Sequence, residues 1–191
     1  SVQTRRHITA SEVAFLRAEA ALRGWTGAGD AKTHYETGVR LSFADWGAGG
    51  VDAYLADATS KPINYVDPVD SRNNFTAAST ITVAWNEADS RELKLEKIMT
   101  QKYLATFTNT LEAWVDHRRT GYPKIPSAAK NDSGPEWGTI PAGQFIKRWP
   151  FLNGERTGNA AGVADALSKM GASKNDISTR LWWDTGVASN F

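Results

Sequence analysis

Two amphipathic segments near the start of the chain, Glu12 to Trp25 and Gly29 to Phe43, are separated by only a few residues. In each, apolar residues recur at helical spacing, so the pair reads as two helices joined by a short glycine turn. Such a hairpin cannot bury its apolar face alone; in repeat arrays the neighbouring hairpins cover it. A single copy therefore implies that other parts of this chain cover it, or that the chain is a piece of something larger. The chain begins at Ser1 without Met, and we expect a processed product or a fragment.

Length and charge narrow the options. With 191 residues, 41% of them hydrophobic, one compact domain or a large piece of one is possible. A formal net charge of +1 gives no electrostatic case for nucleic acid, whose binders carry a clustered basic excess. Cysteine is absent, which excludes disulfides and thiolate metal sites. No apolar run approaches the roughly 20 residues that span a bilayer, and no signal-peptide pattern is present.

Further along, the pattern predicts a mainly helical protein. Thr9 and Glu12 can form a capping box, with Val13, Leu16, Ala20 and Trp25 as the apolar stripe up to Gly24. Asp30 can cap the second helix, whose stripe would be Tyr35, Val39, Phe43 and Trp46 before Gly47. A short helix over 51–58 and a long exposed connection over 59–78 follow. Ile81, Val83 and Trp85 alternate like a strand. A helix from Glu87 to about Phe107 would carry Leu93, Leu95, Ile98, Tyr103 and Leu104 as apolar residues among charges, and another from about Thr110 to Arg119 would carry Leu111, Trp114 and Val115 on one face before Gly121. Residues 123–160 hold five of the seven prolines and read as irregular loop, pinned by Phe145, Ile146 and Trp149. A last helix would run from about Ala160 to Met170. There is no clear internal domain boundary.

Five collinear segments resemble one family: Phe15 to Trp25, Ile98 to Leu104, Glu112 to Pro123, Ile146 to Pro150 and Arg180 to Asp184. In order and spacing they are similar to the C-terminal part of SusD-like (SusD/RagB) nutrient-binding, starch-binding-associated outer-membrane lipoproteins. The resemblance implies an α-α superhelix of tetratricopeptide-like hairpins, lipid-anchored at the cell-surface side of the outer membrane. It also implies a SusC-like TonB-dependent transporter as partner, oligosaccharide or in some branches peptide as ligand, and no cofactor. The whole of 1–191 would be one C-terminal part: the hairpin and following helix over 1–58, and helices and loops packing on it over 59–191. The missing N-terminal part of the same protein would be a further partner, and the piece itself would be soluble.

Eight tryptophans invite a carbohydrate reading, since flat indole faces stack on sugar rings. Large aromatics also fill cores, burying about 150 to 250 Å² each. Trp25, Trp46 and Trp114 fall on or beside apolar stripes, and Trp85 in the alternating triplet, so all four are expected to pack. Trp182 and Trp183 are adjacent and face opposite ways if extended, so one layer can bury only one of them. Trp137 lies in a polar glycine-proline loop and is the best ligand-stacking candidate. Tyr65 is the second, with Asn73 and Asn74 available to bond sugar hydroxyls.

Other chemistries find less support. Glu112 and Asp116 stand one helical turn apart on the same face, unlike two carboxylates flanking a glycosidic bond. With Arg118 and Arg119 they suggest exposed helix pairing. His117 has no nucleophile in a recognisable turn, and His7 and His34 have no metal-ligand spacing. Asp67, Asp70, Asn73 and Asn74 cluster oxygen ligands without a calcium-loop pattern, so a polar turn is expected. The alternative function is a protein-interaction scaffold with no glycan site.

Overall fold

The computed structural model describes residues 8–128, 138, 140–141, 143–184, 186 and 189–191. It divides into two compact units, one of Ser1–Asn64, Thr76–Ile125 and Ser189–Phe191, the other of Tyr65–Phe75 and Pro126–Ala188. Seven α-helices are present among the described residues.

In the first unit local chemistry sets the helix ends. Helix α1 spans Ala10–Leu22; Thr9 Oγ1 accepts the Glu12 amide at 3.2 Å while the Glu12 carboxylate takes the Thr9 amide, completing the capping box. Helix α2 spans Ala31–Trp46, capped by Asp30 Oδ1 on the Thr33 amide at 2.7 Å and closed by left-handed Gly47. A short α3 covers Val51–Leu55, α4 Arg91–Ala105 with Ser90 as cap, and α5 Thr110–Thr120, ending at left-handed Gly121. The α4 start therefore lies four residues later than the apolar pattern indicates, where Ser90 supplies the capping oxygen.

Helices α1 and α2 pack together and α4 packs on both. Phe15, Ala18, Tyr35, Val39, Leu95, Ile98, Met99 and Ala105 form the core. The Tyr35 ring stands edge-on to Phe15 and tilted against Trp85, and its hydroxyl donates to the Val83 carbonyl at 2.7 Å. Trp85 thus packs at the core margin as expected, but Ile81 to Trp85 form no strand; the backbone there lends carbonyls to Tyr35 and Lys97 instead.

The buried faces differ from the apolar stripes. On α1 the inward residues are Ser11, Glu12, Ala14, Phe15, Ala18 and Glu19, while Val13 and Leu16 are exposed. Trp25 is 67% exposed and Trp46 48%, the latter edge-to-face with exposed Phe107. Both expectations of full packing are corrected. Tyr103 and Leu104 on α4, and Leu111 and Val115 on α5, also face outward. Trp114 is half-buried under the Arg118 guanidinium, 4.4 Å from its ring centre.

An ionic layer explains the inversion. Lys102, 1% exposed, reaches Asp116 at 2.7 Å, Glu112 at 2.8 Å and Glu12 at 3.9 Å. Arg119 grips both oxygens of Glu19 at 2.5 and 2.8 Å and also Asp116 at 3.0 Å, and Arg23 holds Glu19 from the other side at 2.8 Å. Asp116 is therefore buried rather than part of a solvated helix surface, while Glu112 and Arg119 flank it half-open. Burial by itself would raise the Glu19 carboxyl, yet the two guanidinia outweigh it and hold the group below the usual range. Burial dominates at Glu12 and pushes it up. At Lys102 burial opposes the charge, but the bonds to Asp116 and Glu112 prevail and raise it.

In the second unit α6 (Asn153–Gly158) and α7 (Ala160–Lys169) pack together, α6 within a stretch whose prolines suggest only loop. Asn159 lies between them, its side chain accepting the Gly162 amide and donating to Glu155. Buried Arg148 donates to the Trp149 carbonyl and to Asn175 Oδ1, and Asn175 also clasps the backbone N–H and C=O of Phe151.

Candidate functional site

Of the four candidate ligand-contacting residues, Tyr65, Asn73 and Asn74 come together in one loop of the second unit; Trp137 lies outside the described residues. Tyr65 and Phe75 exchange backbone hydrogen bonds at 2.8 and 3.0 Å, an isolated antiparallel bridge that closes residues 65–75 at the base. Inside it, Asp67 Oδ1 accepts the amides of Val69 and Asp70, and its Oδ2 accepts from Asn73 Nδ2 at 3.3 Å. The Asp67 amide in turn donates to Asn74 Oδ1 at 2.8 Å. Asp70 caps a 3₁₀ turn over Ser71–Asn73 and takes a forked contact from Arg72.

These bonds determine the electrostatics. The amides of Asp70 and Val69 hold the Asp67 carboxyl below its ordinary range, and Arg72 does the same for Asp70. Both carboxylates are spent within the loop, which is the polar turn expected there. Among the described residues no group of three or more His, Asp or Glu has the arrangement to hold a metal ion. Asn73 and Asn74 each give part of their bonding capacity to the loop, so they shape it as well as facing solvent. Tyr65 leaves 52% of its surface open, with its hydroxyl 3.4 Å from Asp67. The loop is thus an internally braced platform with one aromatic ring, exposed amides and exposed Val66 and Val69.

Two further aromatic faces of the second unit are open. Trp182 is 92% exposed and Trp149 72%. Trp182 lies in a turn closed by the Asp184 amide on the Leu181 carbonyl, with the Trp183 side half-buried, so the adjacent pair divides between solvent and packing. Lys147 pairs with Asp184 at 3.2 Å and its amide bonds the Ile177 carbonyl, knitting the two stretches that carry Trp149 and Trp182. Trp149, expected with Phe145 and Ile146 to pin this stretch, is largely open; buried Arg148 and half-buried Asn175 brace the backbone beside it, a role invisible in apolar spacing. Doublet alternation pointed to an exposed ring at 182 or 183, and no sequence signal pointed to Trp149. Gly138, which follows Trp137, is buried with φ 84°, and a Cβ there would lie 2.3 Å from the Asp176 carboxyl carbon.

Glu112 and Asp116 share Lys102 as counter-ion, and His117 Nδ1 lies 3.1 Å from the Pro123 carbonyl. No described helix is long and apolar enough to cross a membrane.

Residues 2–184 match the family model described as SusD-like, the Susd and RagB outer membrane lipoproteins. Among solved structures, a chitin-binding SusD homologue from Flavobacterium johnsoniae is 45% identical, with a TM-score of 0.84; the match covers 93% of this chain and 36% of that one. A SusD-like protein from Bacteroides thetaiotaomicron is 44% identical over 91% of this chain and 36% of its own, with a TM-score of 0.82. A homologue from Bacteroides vulgatus is 38% identical over 95% and 36%, with a TM-score of 0.84. The chain thus spans about a third of the length of these relatives. No curated protein matches it.

Proposed function

The chain belongs to the SusD-like family, and from that membership we propose that it is the C-terminal part of a cell-surface protein that captures oligosaccharides for a TonB-dependent outer-membrane transporter. The observation that carries the reading is 45% identity, over nearly the whole of this chain, to a homologue described as chitin-binding. The exposed rings of Tyr65, Trp149 and Trp182 support it, because an open aromatic face beside amides and hydroxyls suits a pyranose ring. Trp137 stays a candidate contact with Tyr65, Asn73 and Asn74. The role is binding rather than catalysis, with the lipid anchor and the rest of the protein supplied by sequence beyond this chain.

A second reading rests on different residues. The outward apolar side chains of α1, α4 and α5 form surface that favours contact with polypeptide, and the remaining two thirds of such a protein is the occupant we propose. On that reading this portion is a scaffold, and glycan or peptide is held elsewhere.

Intrinsic tryptophan fluorescence separates the two. A polypeptide of the relatives' full length, titrated with chito-oligosaccharides, malto-oligosaccharides and a peptide panel, should give a saturable change with a glycan. Loss of one stacking ring, in Trp137→Ala or Tyr65→Ala, should weaken binding about 5- to 10-fold, the equivalent of about 1–1.4 kcal/mol. Wild-type affinity in both variants would support the scaffold reading, and no response to any glycan would overturn capture.

A further inference from the structure

Helix α5 is attached to its neighbours in an unusual way. None of the described core residues, and none of the half-buried apolar side chains packed against them, lies on α5. The buried residues of α5 are Asp116 and Thr120, and two of its apolar side chains, Leu111 and Val115, face outward. The charged contacts between it and α1 and α4 form a layer built from Glu12 and Glu19 of α1, Arg23 just past its end, Lys102 of α4, and Glu112, Asp116 and Arg119 of α5; Arg119 also touches Met99 Sδ at 4.0 Å, and Asn190 bridges the Thr120 carbonyl to Glu92. Four carboxylates here face three cations, so the layer carries one excess negative charge at neutral pH.

We propose that α5 is a separately releasable helix, held by this ionic layer, which detaches in acid while the α1–α2–α4 core remains folded. The hydrophobic effect that holds the core is insensitive to protonation, whereas each contact in the layer needs an ionised carboxylate. Neighbouring charges are otherwise engaged. Glu92 of α4 accepts from Tyr122, Ser189 and Asn190, and Glu96 accepts from Ser79 and pairs with Lys124. On α5 itself His117 faces the Pro123 carbonyl and Arg118 lies over Trp114. Burial raises the Glu12 carboxyl, and a proton there removes the excess negative charge and leaves Lys102 to Glu112 and Asp116. Where a carboxylate that binds Lys102 or Arg119 is neutralised, its charged contact to α5 is lost.

Amide exchange of the 191-residue chain, followed by NMR and corrected for intrinsic rates, tests this as pH falls from about 7 to about 3.5, spanning the carboxylate range. We expect the α5 amides to lose protection at least about tenfold more than those of α4 at the acid end. At neutral pH, Glu112→Gln and Arg119→Gln should each reproduce the α5 loss while α1, α2 and α4 stay within about twofold. Loss of protection by α4 and α5 together at every pH, or unchanged α5 protection in both variants, would overturn the proposal.

Discussion

Gly38 lies on α2 with the Phe15 ring directly against it: a Cβ there would stand 2.7 Å from Phe15 Cε1 and 2.8 Å from Cζ. Phe15 is fully buried, so Gly38→Ala should lower stability by about 1–3 kcal/mol, read from the urea midpoint. A residue with no side chain at that position is what lets α1 and α2 approach. Lys102 is the other position where one side chain decides much. Lys102→Met keeps the stem's bulk but leaves Glu12, Glu112 and Asp116 facing one another without their shared cation. We expect a loss of about 3–5 kcal/mol in the same assay, the cost of breaking a buried ion pair on one side. The sequence marks Lys102 only as a lysine on a helix; its partners stand 10, 14 and 90 positions away.

At the scale of elements, caps were legible and faces were not. Thr9, Asp30, Gly47 and Gly121 end their helices where the chain places them, because a cap depends on residues within one turn. The stripe Val13, Leu16, Ala20 and Trp25 misses the buried face of α1, since Glu12 and Glu19 go inward to meet cations from α4 and α5. The 65–75 loop shows the same division. Its Asp and Asn content announces a turn, but that Asn74 closes it through the Asp67 amide follows only from the fold. Asn74→Ala should increase cleavage within 66–72 under limited proteolysis and shift global stability by less than about 0.5 kcal/mol, because the loop is exposed. The α1 carboxylates give a signed pH dependence. Glu19 is held below its ordinary value, so its contribution is present above about pH 4.5 and lost as pH falls through its folded value. Glu12 is raised, so its effect has the opposite sign: stability recovers as pH drops from neutral toward about 4.5. Urea midpoints measured between about pH 7 and 3 should rise slightly and then fall.

Over the whole molecule, the chain is similar to about a third of each relative while carrying exposed Val13, Leu16, Trp25, Leu104, Phe107 and Leu111 on its first unit. Apolar surface of that kind favours association. We expect the isolated 191-residue chain to self-associate in sedimentation velocity, and Leu104→Ser with Phe107→Ser to reduce this with helix content unchanged by circular dichroism. The family and the positions of α1, α2, α5 and α7 were readable from residue order, because caps, turns and collinear motifs are encoded locally. Which side of each helix is buried, which tryptophans remain open and how α5 is fastened were decided by tertiary structure alone. Those outcomes depend on charges and rings brought together from positions tens of residues apart, and no periodicity within one helix carries that information.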